Sequence, residues 1–281
     1  MGISLEMLKC LIHAKNNSTD FSKTATLGRQ AIRHNNTDVM KVLHNSGINV
    51  DEEIKISNDG FAENLLKILG TEKVDSFDYS DYEGATHIHD FNEPIIDEYK
   101  GKYSLVIDGG SLEHVFNFPV AIKNLMEMVS VGGTVISSVP VNNQSGHGFY
   151  QISPELFFRV FCEENGFEII DMLDYKAKKD HTEIYSIKDP KELGKRVSIG
   201  GLGPINICVL AKKVEKKSIF DNWPLQSDYQ VEWGKTGKQS PEILHKDTTI
   251  SQKIWRLLYE KTKKYCPVLV NPSNGFKKLD I

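Results

Sequence analysis

SLVIDGGSLEHVFNFPVAIKNLMEMVSVGGTVISSV, residues Ser104 to Val139, is the stretch whose reading decides the fold. Ser104–Ile107 is a short apolar run that closes on Asp108, Gly109 and Gly110. That is the pattern of a buried parallel strand followed by a turn where backbone must approach something closely. Ile122, Leu125, Met126 and Val129 recur at i, i+3, i+4 and i+7 and predict a helix with one apolar face, ended by Gly132-Gly133. Thr134–Val139 is β-branched and apolar and predicts a second buried strand ending at Pro140. Strand, helix and strand in this order make one right-handed βαβ unit. Its strand ends carry Asp108, Glu113 and His114 on one side and Asn142 to His147 on the other. In an open parallel sheet the ligand crevice lies beyond the carboxyl ends of the strands, so both polar clusters point at one place.

Working outward, the chain alternates between short apolar runs and amphipathic stretches. Residues 3–13 predict a short helix with Leu5, Leu8 and Ile12 on one face. Thr24–Leu27 predicts a strand ended by Gly28. Asp38–Leu43 predicts a helix with Thr37 as N-cap, and Phe61–Leu69 another, with Gly70 at its C′ position. Lys73–Asp78 and Ala85–Asp90 read as strands, each ending in an acid, as Ser104–Ile107 does. Three acids at successive strand ends of an α/β pattern fit a shared ligand site. Ser153-Pro154 opens a helix, Ser as N-cap and Pro at the first position, and the helix runs to near Gly166. Phe167–Leu173 and Asn206–Lys212 predict two more strands. The connection between them, 174 to 205, is longer than usual and is expected to cover the site. The alternation predicts a doubly wound, mostly parallel α/β sheet. The expected division is an N-terminal helix over 1–22, the sheet domain over 23–213 and a C-terminal appendage over 214–281. The appendage holds Trp223, Trp233 and Trp255 and a helical stripe of Ile250, Ile254, Leu257 and Leu258, which is expected to pack on the main domain or on a second copy of the chain.

The totals narrow the class. With 281 residues, 40% hydrophobic and 26% charged, the chain is an ordinary globular protein with room for one large domain and an addition. A formal net charge of -4 lends no support to nucleic-acid binding. Cys10, Cys162, Cys208 and Cys266 form no CxxC pair, so zinc-ligand spacing is absent and no metal is expected from them. Glu6 and Lys9 interrupt the apolar residues of the first helix, which therefore does not read as a signal peptide, and no apolar run reaches the ~18 residues of a membrane span. The expectation is a cytoplasmic protein without membrane or nucleic-acid partners, acting on a small molecule, with a homodimer possible through the appendage.

Three stretches carry a family resemblance: YSLVIDGGSLEHV at Tyr103–Val115, MEMVSVGGTVISSV at Met126–Val139, and the Ser153–Phe167 helix running into Asn165-Gly166-Phe167. Together they resemble class I S-adenosylmethionine-dependent methyltransferases over about residues 22–212. LGRQ at 27–30, DYSDYEGATHIHDFN at 78–92 and GHGFYQISPELFFRVF at 146–161 are similar to a bacterial subgroup of that family whose members are often associated with cell-surface polysaccharide biosynthesis. The resemblance implies a Rossmann-like sheet of seven strands with the last, here Asn206–Lys212, antiparallel. It implies S-adenosyl-L-methionine as cofactor, held by Gly28 and Arg29 after the first strand, by Asp78 at the ribose, by Asp90 near the adenine amino group, and by Asp108, Gly109 and Gly110 at the methionine end. The family's glycine-rich loop, approximately GxGxG, is degenerate here, since Gly28 is followed by Arg29 and Gln30. Arg29 is expected to clamp the cofactor carboxylate.

Methyl transfer to a hydroxyl needs an in-line approach to the sulfonium methyl group and a base in the right pKa range, for which histidine serves. His147 is the first candidate, because Gly146 and Gly148 let its ring approach the crevice. His114 is the second, and Tyr150 is a candidate for orienting the acceptor. The expected activity is O-methylation of a small sugar-like or nucleotide-linked metabolite. The alternative is an inactive methyltransferase-like binding or partner subunit, and a nicotinamide-dependent oxidoreductase ranks last because GxGxxG after a strand is missing.

Overall fold

The structure is a computed structural model that describes residues 2–51, 56–57, 59–177, 182–200, 203–235 and 276–279. The main sheet contains β2 (Lys23–Leu27), β4 (Lys73–Asp78), β5 (His87–Ile88), β6 (Tyr103–Asp108), β7 (Val129–Asn142), β8 (Phe167–Ala177), β9 (Thr182–Ile187), β10 (Ile205–Lys213) and β11 (Phe276–Leu279). A separate two-stranded ribbon joins β1 (Gly2–Ile3) to β3 (Ala31–Ile32) in parallel. The helices are α1 (Leu5–Asn16), α2 (Asn36–Asn45), α3 (Glu63–Ile68), α4 (Phe118–Met128), α5 (Pro154–Val160), α6 (Pro190–Leu193) and α7 (Ser227–Lys235).

The strand order is β11-β9-β8-β10-β7-β6-β2-β4-β5. From β5 through β4, β2 and β6 to β7 every pairing is parallel, and from β7 through β10, β8 and β9 to β11 every pairing is antiparallel. Among these nine strands only β9 and β10 therefore run against the rest, so the mixed α/β reading with a mostly parallel sheet holds. The order reverses between β2 and β6, because the chain leaves β2 towards β4 and β5 and returns on the other side. Such a switch point opens a crevice at the carboxyl ends of the strands.

The buried runs explain the strands. Leu105 and Ile107 point to one face of the sheet and Val106 to the other, and all three are fully buried. On the first face lie α1, capped by the Ser4 hydroxyl accepting from Met7 N–H at 3.2 Å, together with α2 and α3. On the second lie α4 and α5, which bury Ile122, Leu125, Met126 and Phe157. Each such side chain contributes roughly 1.5–3 kcal/mol on leaving water. Behind α4, the buried Lys213 at the end of β10 donates from Nζ to the carbonyls of Met126 at 2.7 Å and Val129 at 3.0 Å.

Several expectations need correction. The sheet has nine strands among the described residues, not seven. The helix over 118–128 stops at Met128, before Gly132-Gly133, and those glycines lie inside β7. Gly132 has φ +86°, and a Cβ on Gly133 would strike the Ser104 carbonyl at 2.7 Å, so the pair forms a bulge against β6. The cap of α2 is Asn35, whose side chain accepts from Asp38 N–H, and not Thr37. Ser153 stands at the N-cap of α5 without a side-chain cap bond. The strand read over Ala85–Asp90 is reduced to His87–Ile88. The connection 174 to 205 is mainly the end of β8, the hairpin partner β9 and α6. Among the described residues it meets the loop after β7 where Asn142, Asn143 and Gln144 donate to the Ile199, Gly203 and Ile205 carbonyls. Beyond β10, α7 and β11 are described, and β11 pairs with β9. The stripe Ile250, Ile254, Leu257, Leu258 and Trp255 lies outside the described residues.

Candidate active site

At the switch point the turn after β6 is built by its acid. Asp108, fully buried, accepts from Ser111 N–H at 2.7 Å and Ser137 Oγ at 2.6 Å. Burial pushes its carboxyl up, while Ser137 and the N–H groups of Ser111, Leu112 and Gly110 pull against that. Ser111 Oγ then donates to the Leu27 carbonyl at 2.8 Å, tying this turn to the end of β2. Gly110 has φ +94°, a conformation open to glycine. Gly109 is closed in on its α-carbon: a Cβ there would meet Gln30 Oε1 at 2.2 Å. The Gly109 carbonyl accepts from Gly2 N–H at 3.3 Å, so the short strand β1 lies against this turn.

The loop after β2 departs from its expected role. Gly28 has φ +70° and donates to the Phe77 carbonyl at 2.6 Å. Arg29 is held by the chain's own groups. Its Nε donates to Glu63 at 2.6 Å, one terminal nitrogen to Asp59 at 2.6 Å and the other to the Glu83 carbonyl at 3.1 Å, with the guanidinium 4.0 Å over the Phe61 ring. A guanidinium engaged on all three nitrogens lines its own hollow of about 380 Å³ with Glu63, Asn64 and Thr86 and is not presented as a free carboxylate clamp. Gln30 was not singled out by the sequence. Its side chain is buried, with Nε2 donating to the Leu27 carbonyl at 2.5 Å and Oε1 left without a hydrogen-bond partner.

The two acids of the outer strands differ. Asp78 ends β4, is half-buried and accepts from its neighbour Tyr79 N–H at 2.7 Å through Oδ1, while Oδ2 has no partner among the described residues. Asp90 uses one oxygen to accept from both Asn92 N–H and Asn92 Nδ2, bonds that hold its carboxyl below the usual range.

Beyond β6 and β7 the structure brings three groups together. Glu113 and His114 lie on the 3-10 turn Leu112–His114, and His147 on the loop after β7. Glu113 Oε1 is 3.4 Å from His147 Nε2, and the imidazole rings of His114 and His147 are 5.1 Å apart. The loop is fixed to the turn by Phe149 N–H donating to the Glu113 carbonyl at 2.8 Å. Gly148 is required there, since a Cβ would meet that carbonyl at 2.8 Å, whereas Gly146 has open space. Glu113 is 1% exposed and its Oε2 has no hydrogen-bond partner. Burial first, then the charge of Asp108, push its carboxyl up to about 8. Burial and the neighbouring His147 push His114 down. Tyr150 donates from its hydroxyl to the Phe116 carbonyl at 2.7 Å, and the exposed rings of Phe116 and Phe149 meet edge to face at 5.8 Å at the mouth. Glu113 is the residue that sequence reasoning noted at a strand end but assigned no role. A hollow of about 950 Å³ lies elsewhere, at the amino end of β8 between Arg159, Glu168 and Trp223.

No protein-family profile matches the sequence, and no curated protein matches it. Solved structures overlap it in part. One is a 1,6-didemethyltoxoflavin-N1-methyltransferase of Burkholderia thailandensis with bound S-adenosylhomocysteine, at 9% identity and a TM-score of 0.41 over 74% of this chain and 78% of that one. A second is TehB from Haemophilus influenzae, at 13% identity and a TM-score of 0.39 over 74% and 62%. A third is an rRNA methylase of Streptococcus thermophilus, at 11% identity and a TM-score of 0.36 over 74% and 97%. Overlaps of this extent carry no statement about what this chain binds or does. No helix among the described residues is long and apolar enough to cross a membrane.

Proposed function

We propose that the chain is an S-adenosylmethionine-dependent methyltransferase that methylates an oxygen of a small, sugar-like or nucleotide-linked acceptor. The observation that carries this reading is the open oxygen of Asp78 at the end of β4, beside a switch point whose buried Gln30 Oε1 also lacks a donor. A ribose diol supplies hydroxyl donors to the first, and an α-ammonium group supplies N–H donors to the second. The residues present therefore fit the cofactor at both ends, although Arg29 does not serve its carboxylate. Bound there, S-adenosylmethionine supplies a methyl group on a sulfonium, open to displacement in line. Asp78 orients the ribose, Gln30 and the turn at Gly109 and Gly110 fix the amino-acid end, and Phe116 with Phe149 shields the mouth from water. The acceptor then faces His147, whose imidazole receives the hydroxyl proton, and the Glu113 carboxyl beside Nε2 holds the ring in place. The resemblance to the polysaccharide-associated subgroup supports the acceptor class.

The second reading, a binding or partner subunit without activity, is favoured by the side chain of Gln30 standing in the turn where the family has glycine. Calorimetry separates the two. S-adenosylmethionine is expected to bind with one-to-one stoichiometry, and Asp78→Ala to weaken it about tenfold or more, as loss of a charge-assisted hydrogen bond worth roughly 1.5–3 kcal/mol requires. Absence of binding by the wild-type chain sinks the enzyme reading, and unchanged affinity in Asp78→Ala sinks the assignment of the ribose site.

A further inference from the structure

Glu113 presents a problem that the methyl-transfer reading leaves standing. Its carboxylate is almost completely buried, one oxygen has no donor at all, and the other faces His147 at 3.4 Å. Buried polar groups are nearly always hydrogen-bonded, so an orphan of this kind asks for a partner. Among the described residues no lysine or arginine pairs with it. What surrounds it is a second and a third metal-capable donor: one ligand atom from each of Glu113, His114 and His147 lies within 4.8 Å of the others, the only such trio among the described residues. Metal–nitrogen and metal–oxygen bonds of about 2.1 Å in a tetrahedral site place neighbouring donors about 3.4 Å apart. The Glu113–His147 edge already has that length. Both histidines are exposed, so their rings are free to turn by the remaining fraction of the distance, while the buried carboxylate is the fixed point.

We propose that Glu113, His114 and His147 form a binding site for one divalent transition-metal cation of the zinc, cobalt or nickel kind. Two imidazoles and one carboxylate suit these borderline cations better than magnesium or calcium, which take oxygen donors. Three protein ligands leave at least one position open, and both histidines face solvent, so that position is reachable from the crevice. The backbone supports the same geometry. The two segments that carry the donors are joined by the Phe149 N–H bond to the Glu113 carbonyl and by the close approach of Gly148, whose Cβ would meet His114 Nδ1 at 3.1 Å. The inference needs only the three donors and does not depend on which group the enzyme transfers. It does bear on the proton, because the cation and the proton compete for the imidazole of His147.

The test uses the full chain, stripped with a chelator and returned to chelator-free buffer. Zn²⁺ is titrated by calorimetry, and Co²⁺ by its visible absorption. The expected result is one saturable site per chain, with a cobalt spectrum of tetrahedral or five-coordinate intensity. His147→Ala, in an exposed loop and therefore harmless to folding, is expected to weaken the site at least tenfold, as are His114→Ala and Glu113→Gln. His44→Ala, on α2 and outside the trio, with its ring against the Val50 carbonyl, is expected to change nothing. Absence of saturable Zn²⁺ and Co²⁺ binding overturns the proposal. So does a site that survives intact in His147→Ala, because the metal is then held elsewhere. Neither outcome touches S-adenosylmethionine binding, which is measured separately.

Discussion

Asp108 and Glu113 lie on the same turn-rich segment after β6, equally hidden from water, and they are treated in opposite ways. Asp108 is wrapped by donors: Ser111 N–H, Ser137 Oγ and the neighbouring amides. Glu113 has an oxygen that nothing addresses. The first carboxylate holds the chain's own loops in place. The second is held in place by the loops and kept available. Burial by itself therefore does not tell a structural acid from a working one. The distinction lies in whether the protein supplies the donors or leaves them to a visitor.

The sharpest way to break this contrast is to remove Asp108. Asp108→Ala leaves the Ser137 hydroxyl and the Ser111 amide buried without an acceptor, and urea unfolding is expected to show a loss of about 3–5 kcal/mol. A loss under about 1 kcal/mol means the turn does not need its acid. Asp75 extends the contrast to a third buried carboxylate. Burial pushes its carboxyl up, but Lys73 and the Tyr103 hydroxyl at 3.1 Å outweigh that and hold it below its usual range. As pH falls the unfolded chain takes the proton first, so the contribution of Asp75 is present above about pH 4 and disappears as the pH falls through the folded value. Asp75→Asn is accordingly expected to cost about 1–3 kcal/mol at neutral pH and progressively less in acid. A pH-independent difference contradicts the charge argument. The smallest effect is expected at Glu113. In chelator, Glu113→Gln removes no hydrogen bond that the fold depends on, and stability is expected to stay within about 1 kcal/mol of wild type. A loss as large as that of Asp108→Ala erases the difference between the two acids.

Much of this architecture was legible in the residues. β6, β7 and β10 announced themselves as apolar or β-branched runs, and the acids ending β4 and β6 marked the crevice side. β1, β9 and β11 did not, because strands of two to six residues away from the centre of the main sheet need not be apolar on both faces. The helix was overrun at Val129 because a residue can continue a helical stripe and still begin a strand. At the site, His114 and His147 were picked out by position, and they do stand side by side. The glycines around His147 were read as equal, yet only Gly148 is forced by contact. Arg29 was misread because nothing along the chain shows that Asp59 and Glu63 will reach it from the start of α3 and the turn before it. The significance of Glu113 was hidden for a related reason: an unmet donor requirement is a property of the folded surroundings and leaves no trace in composition or spacing.

The two bonds from Lys213 bear on the order in which the chain becomes ordered. Carbonyls at the end of a helix need partners, and those of Met126 and Val129 receive theirs from a residue 87 and 84 positions further on. The βαβ unit that is plainest in the sequence is thus finished by the last residue of β10. A nascent chain that has emerged only as far as β7 holds α4 with a frayed end, and closure awaits a contact of high sequence separation. Synthesis makes this unit early, and folding completes it late.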